Sequence, residues 1–378
     1  MSEGLDRALA SFAPDGSAAL RRALARVLGA SEPRFLGADP LPRGRVLRLR
    51  FEVEGKSRGL VVKRLPLDRA HRERAVVERW LPRVGLASQG PPLLATVAER
   101  AGRCAWFVYE DLGDCTLATR AADPACVRAA VELVAELHAR FTGHALLGEA
   151  RGVGADLGMP FYSASVRDAT RALEALTRSP SLAREPRTLC ERLLARLALL
   201  RAEEAERRAM LEAWGGPETL LHGDLWTINV MVRSTVRSIE ARLIDWERAG
   251  VGPASYDLSA FLLRFPAQRR AGILSCYQDR YEQRSTGGRR WPKRSEWNSL
   301  FDTAERARLA NSMLWRALAA LDGYEDWPFE DLEWHEDAFA ALEPVLPAEP
   351  LALDAEPEAS LERAGRRAQP IGGRACDT

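Results

Sequence analysis

The strongest constraint on the fold is a change of periodicity near Gly113. Before it, "RVLRLRFEV" (45–53) alternates apolar and charged residues, the period-two pattern of a strand with one buried face. "EGKSRG" supplies a turn, and "LVVKRL" (60–65) reads as the hairpin partner. A helix over 68–85, "DRAHRERAVVERWLPRVG", ends near Pro82 and Gly85, and "PLLATVAE" and "CAWFVYEDL" follow as two further strand candidates. After Gly113 helical periodicity takes over. "DPACVRAAVELVAELHARFTG" opens on an Asp cap and stops at a Gly, and helical patterns recur over 163–178, 185–214, 254–282 and 296–321. Only "INVMV" and "ARLIDW" interrupt them as short β-like pieces. Strands first and helices afterwards predict an α+β chain, a small antiparallel β lobe followed by a larger, mainly α-helical lobe. Ligands bind at such junctions, so a cleft is expected there. The expected divisions are a helical extension over 1–30, the small lobe over 31–110, the large lobe over 111–346 and a tail over 347–378. That tail is rich in Pro, Ala, Glu and Gly, lacks aromatic residues and reads as disordered.

Composition narrows the classes of function. A chain of 378 residues, 46% hydrophobic and 28% charged with net charge +1, can bury a large core and carries no charge excess for nucleic acid or an anionic membrane. The six Cys are widely spaced, without C-x-x-C, which argues against a zinc site and a disulfide framework. "MSEGLDRALASFAPDG" is acidic and broken by Pro14 and Gly16, so it does not read as a signal peptide, and no apolar run reaches about 18 residues. The expectation is a cytoplasmic protein with reduced thiols and no nucleic-acid or membrane partner.

One stretch carries chemistry. "HGDLWTIN" (222–229) gathers His222, Asp224 and Asn229 in a chain that has only five His and three Asn. An Asp followed five residues later by an Asn, on a loop entering a short strand, suits phosphoryl transfer. The carboxylate can accept a hydroxyl proton and the amide oxygen can bind magnesium. Either residue alone reads more simply as a turn cap, so the specificity lies in the joint pattern. A metal also needs a second carboxylate, and "LIDWE" places Asp245 sixteen residues after Asn229.

Together, "HGDLWTINVMV" and "LIDWERAGVGPASYDL" resemble the catalytic and metal loops of the aminoglycoside phosphotransferase and choline kinase-like small-molecule kinases. The resemblance spans roughly residues 31 to 345 and implies a two-lobed, protein kinase-like fold. It implies Asp224 as catalytic base, Asn229 and Asp245 as magnesium ligands, His222 as a buttress and Asp257 as a structural acid of the large lobe. It also asks for a lysine on the third strand paired with a glutamate on the next helix, to set an ammonium against the α- and β-phosphates of ATP. "GLVVKRL" offers Lys63, and "HRERAVVERW" offers Glu73, with Glu78 as the alternative. "WFVYEDLGDCTL" is similar to the family's hinge, where backbone groups of Glu110, Asp111 and Leu112 would hydrogen-bond adenine. His138, in "LVAELHARF", reads as structural. The glycine-rich loop of protein kinases is missing. "FLGADPLPRGRVLRL" has only Gly37 and Gly44, so phosphate contacts would come from backbone amides near Gly44, helped by Arg43 or Arg45.

The implied function is ATP-dependent, magnesium-assisted transfer of the γ-phosphate to a hydroxyl of a small acceptor. The alternative is a catalytically silent nucleotide-binding pseudokinase or scaffold on the same fold. Presence of Lys63, Asp224, Asn229 and Asp245 together favours activity. A protein kinase is disfavoured by "HGD" where H-R-D is expected and by the absence of A-P-E. The acceptor's charge has one cue. Eight acids fall in "DGYEDWPFEDLEWHED" (322–337), among them Glu325, Asp326, Glu330 and Asp331, interleaved with Tyr324, Trp327, Phe329 and Trp334. Carboxylates and aromatic faces would suit a cationic acceptor, an amino sugar, aminoglycoside or amino alcohol.

Overall fold

The computed structural model describes residues 3–29, 33–41, 44–180, 182–235, 238–285, 290–323 and 327–347. Two compact units emerge. Among the described residues, the first holds the chain up to Cys115 and the returning segment Arg242–Glu247; the second holds Thr116–Ala241 and the chain from Arg248 to residue 347. Arg43, Tyr324, Glu325, Asp326 and the tail from residue 348 lie outside the described residues.

Five strands build the first unit: β1 (Arg34–Pro40), β2 (Val46–Val53), β3 (Lys56–Pro66), β4 (Leu93–Ala98) and β5 (Cys104–Glu110). All neighbours are antiparallel, in the order β1-β2-β3-β5-β4. The register sets Val46 and Arg48 opposite Lys63 and Val61, and these opposite Phe107 and Tyr109. Residues directly opposed across strands share a face, so Arg48, Val61, Lys63 and Tyr109 lie on one side of the sheet. Leu47, Leu49, Phe51, Leu60, Val62, Trp106 and Val108 fill the other. There they pack against Leu5, Leu9, Leu20 and Leu24 from α1 (Glu3–Phe12) and α2 (Ser17–Leu28). Each fully buried leucine is worth about 2 kcal/mol. The two N-terminal helices therefore belong to this sheet's core, because their apolar stripes are buried against it. Helix α3 (Leu67–Ala75) leaves β3 directly and continues through a π turn, Val76–Trp80, into Leu81–Arg83.

The second unit is mainly helical. Pro124–Phe141 starts at Asp123, whose carboxylate accepts from the Ala125 N–H at 2.9 Å. The 28-residue helix Arg294–Leu321 packs with Met159–Arg178 and Arg184–Ala202 around Tyr162, Leu173, Leu193 and Met313. Two expected helical runs are broken. Residues 185–214 divide at Glu203, and 254–282 divide into Ser255–Leu262 and Ala267–Arg284 just before Ala267, where Pro266 cannot donate to the preceding turn. A small sheet joins Ala155–Asp156, Gly250–Pro253 and Glu218–Leu221, in that order, and the last of these strands runs straight into His222. The hairpin of Val230–Ser234 and Ile239–Leu243 carries the chain from Asn229 to Asp245. Among the described residues no helix is long and apolar enough to cross a membrane.

Candidate active site

Lys63 sits near the end of β3 with its side chain almost wholly buried. Its Nζ lies 2.8 Å from Glu73 Oε2, 2.5 Å from Asp245 Oδ1 and 3.3 Å from Glu247 Oε2. Helix α3 supplies Glu73, whose other oxygen accepts from the Tyr109 hydroxyl at 2.7 Å. Glu78, one turn further, faces outward and pairs with Arg74. Burial works against the ammonium, yet Glu73, Asp245 and Glu247 outweigh it and hold the Lys63 pKa above its ordinary range. Burial pushes the Glu73 carboxyl up, and the ammonium and phenol that donate to it pull the other way. Lys63 is thus a fixed positive charge, held on the face of the sheet that also carries Val61 and Tyr109.

Asp245 has φ 68°, a left-handed conformation uncommon for a side chain with a Cβ and one that Asp tolerates better than most. The turn is pinned on its far side by Trp246, a buried residue whose indole N–H donates to the Leu243 carbonyl at 3.0 Å. Glu247 completes the cluster. Arg69 reaches its carboxylate at 2.8 Å and Arg72 reaches its main-chain carbonyl at 2.8 Å, both from α3. In the sequence Glu247 carries no signature beyond standing two residues after Asp245. Ligand oxygens of Glu73, Asp245 and Glu247 lie within 4.8 Å of one another, and the Lys63 ammonium sits among them as their shared cation.

The expected hinge is more constrained than the sequence suggests. The Glu110 N–H donates to the Pro92 carbonyl at 3.0 Å, and the Asp111 N–H to the Gly59 carbonyl at 3.2 Å. Both donors are therefore spent on the sheet itself, which leaves Leu112 as the N–H of this stretch to consider for a nucleobase. Gly44 takes φ 65° in the β1–β2 turn, where its N–H faces the Leu41 carbonyl at 3.3 Å. That amide closes a turn, and an anion would have to displace it from this role.

In the second unit the His222–Asn229 loop is held from beneath by Asp257. One Asp257 oxygen accepts from the His222 N–H at 2.6 Å and the other from the Gly223 N–H at 3.0 Å. His138 lies beside them, its Nε2 3.5 Å from the same carboxylate and its Nδ1 3.0 Å from the Tyr277 hydroxyl. Gly223 has φ 79°, and a Cβ there would come within 2.0 Å of the Arg248 carbonyl oxygen, so only glycine fits between His222 and Asp224. The His222 ring faces the Asp224 N–H, with Nδ1 at 3.4 Å. Asn229 donates from Nδ2 to the Asp224 carbonyl at 2.9 Å, which fixes its amide and leaves Oδ1 as the atom for a metal. Arg264 stacks over the Trp226 ring, 4.0 Å from its centroid. The structure thus brings Lys63, Glu73 and Asp245 together in the first unit, and Asp224 and Asn229 together in the second.

Asp257 supports a pH prediction. Burial opposes its ionisation, but His138 and the loop N–H groups win and hold its pKa below the ordinary carboxylate value. A depressed folded pKa contributes stability that is complete above the unfolded value, about 3.9, and is lost as pH falls through the folded one. Asp257→Asn should lower the melting temperature at pH 7 and flatten its fall below about pH 4. An unchanged acid limb in the variant would contradict this role.

The first unit's sheet with its buried lysine–glutamate pair, and the helical unit with its braced H-G-D loop, give the chain the protein kinase-like α+β fold of a phosphotransferase. The chain belongs to the phosphotransferase enzyme family, whose sequence profile matches residues 40–297. Among solved structures it is similar to an ethanolamine kinase of Plasmodium vivax, with 11% identity, 81% of each chain covered and a TM-score of 0.53. It is also similar to a macrolide 2'-phosphotransferase of Brachybacterium faecium, with 20% identity, 84% of this chain and 97% of the other covered and a TM-score of 0.52. At these identities the likeness is one of fold. No curated protein sequence matches the chain.

The helix Trp327–Ala340 spends part of the acidity noted in the sequence on packing. Asp331 pairs with Arg316 at 3.1 Å and Glu336 with Arg192 at 2.6 Å. Acidic side chains gather instead around a cavity of about 440 Å³ in the second unit, where Glu203, Glu206, Asp302, Glu305 and Glu343 surround Arg207. Arg207 engages Glu203 at 2.6 Å and Asp302 at 2.9 Å, and Glu305 is held by Arg308. Among the described residues no ion pair engages Glu206 or Glu343.

Proposed function

We propose that the protein is an ATP-dependent kinase that transfers the γ-phosphoryl group to a hydroxyl of a small cationic acceptor, such as an amino sugar or amino alcohol. The observation that carries the reading is the buried ammonium of Lys63, clamped by Glu73 beside Asp245. A silent scaffold has no need to keep such a charge buried. In this reading Asp224 takes the proton from the acceptor hydroxyl and Lys63 steadies the α- and β-phosphates. Leu112 donates to the nucleobase, and Asn229 and Asp245 hold magnesium, while Glu247 helps hold the Lys63 ammonium in place. The metal, when bound, screens charge on the transferring phosphoryl group. The acid-lined cavity is assigned to the acceptor, and the excess of carboxylates in its lining over the single Arg207 is the reason for expecting a cation.

The test is ADP release measured across a panel of cationic, neutral and anionic hydroxyl compounds. A cationic compound should give the highest kcat/KM, and added salt should raise its KM. Glu206→Gln with Glu343→Gln should raise acceptor KM about tenfold and leave the ATP KM within about twofold. A neutral or anionic best acceptor with a salt-insensitive KM would overturn the cationic reading. Absence of ADP release across the panel, with no nucleotide binding, would overturn the kinase.

A further inference from the structure

Arg48 is the residue of the first unit whose surroundings the phosphotransferase chemistry leaves unexplained. A strand residue on the Lys63 face of the sheet, it stands opposite Val61 in the register and two residues from Val46, the partner of Lys63. An exposed strand arginine is ordinarily solvated, yet this side chain is only 16% exposed. Its guanidinium spans the turn that follows β5. Nε lies 3.1 Å from Asp111 Oδ2, Nη1 lies 2.5 Å from Asp114 Oδ1, and Nη2 donates to the Gly113 carbonyl at 3.1 Å. One planar group thus hydrogen-bonds Asp114 and the Gly113 carbonyl and forms an ion pair with Asp111, a geometry that lysine cannot reproduce.

The turn is organised around the same contact. The second oxygen of Asp111 accepts from the Gly113 N–H at 2.9 Å, and Gly113 takes φ 82° to allow it. The Asp111 main chain is tied to β3 through the Gly59 carbonyl. Gly59 is itself required, because a Cβ there would sit 2.7 Å from the Asp111 side chain. Leu112 lies between two anchored residues. Its N–H has its direction set by how Asp111 and Gly113 are held, and Arg48 holds both.

We infer that Arg48 is a positioning residue for the nucleotide: through Asp111, Gly113 and Asp114 it fixes the turn that presents the Leu112 N–H to the nucleobase. The inference rests on the nucleotide-binding reading above. Arg48 touches neither the phosphates nor the acceptor in this scheme, so its effect falls on nucleotide affinity and not on the chemical step.

Arg48→Ala should raise the ATP KM and the ATP dissociation constant about tenfold, the loss expected for a charge-assisted clasp. At saturating ATP, kcat should stay within about twofold and the acceptor KM should not move. Asp111→Asn should reproduce part of the effect, and the double variant should be no worse than Arg48→Ala, because both remove the Arg48–Asp111 pair. Arg48→Lys should recover little of the affinity. Melting temperatures of all four proteins separate a positioning role from general unfolding. An unchanged ATP dissociation constant in a folded Arg48→Ala protein, or a fall in kcat at constant ATP KM, would overturn the inference. So would additive effects of the two changes. If the wild-type protein bound no nucleotide, the reading beneath the inference would fail instead.

Discussion

Asp224→Asn should lower phosphoryl transfer by about 10³-fold while leaving ATP binding within about twofold of the native protein. Removal of a positioned general base costs 10²- to 10⁴-fold, and the upper part of that range applies where a single group receives the proton. The substitution is nearly isosteric, and the structure shows why it should be tolerated. The Asp224 main chain is held independently of the substitution: its carbonyl accepts from Asn229 Nδ2 and from the Trp226 N–H at 2.8 Å, and its N–H faces His222. The charge of its carboxylate also acts on Arg264 and Arg308, so the melting temperature of the variant is measured beside its activity. Calorimetric ATP affinity and steady-state kcat, taken together, check the result. Asp245→Asn is the companion measurement. Asn also tolerates the left-handed conformation of that position, so the change removes charge without forcing the backbone. It should weaken magnesium-dependent ATP binding, whereas Asp224→Asn should not. Identical magnesium titrations for the two variants would contradict the assignment of base and metal ligand.

Lys63→Ala should reduce kcat/KM for ATP by at least about 10²-fold, since an oriented charge aimed at the phosphates is lost. This variant should also lose stability, for a reason particular to the cluster. Three carboxylates, those of Glu73, Asp245 and Glu247, converge on one ammonium, and Glu73 is only 1% exposed. Deleting one member of a buried ion pair costs about 3–5 kcal/mol, because the partner is left charged and desolvated. Burial already pushes the Glu73 carboxyl up, so without the ammonium its protonated form should be favoured further, and the melting temperature of Lys63→Ala should rise relative to the native protein as the pH is lowered toward the ordinary glutamate value of about 4.3. Lys63→Ala combined with Glu73→Gln should recover part of the stability and none of the activity. Recovery of activity in the double variant would show that Lys63 serves the fold alone.

The H-G-D-x-x-x-x-N loop was readable in the chain itself. Asp224 and Asn229 are close in sequence, and a loop that positions them needs only a strand before and a short turn after, so pattern and spacing reveal it. The selection of Lys63 came from the family resemblance, whereas its place on a strand before a helix was readable from period-two alternation. The antiparallel sheet followed by helices was readable for the same reason.

What spacing could not provide was partnership across long stretches of chain. Glu73 and Glu78 both stand on the same helical run, and only the packing of α3 against β3 and β5 turns Glu73 toward Lys63 and Tyr109. Glu247 gained its place because Arg69 and Arg72, far earlier in the chain, hold it from α3. The helices of residues 3–28 look like an appendage by composition and become core because the sheet offers them its apolar face. At the hinge, sequence named Glu110, Asp111 and Leu112 alike, whereas strand pairing consumed the N–H groups of the first two. Charge was the least legible property of all. A run of acids in the sequence states a net sum, but Arg192 and Arg316 cancel Glu336 and Asp331 through contacts that only tertiary structure creates. Residue order determined which groups were present and how neighbours lie. Long-range packing decided which charges are paired, because electrostatic energy depends on distance through space and on burial.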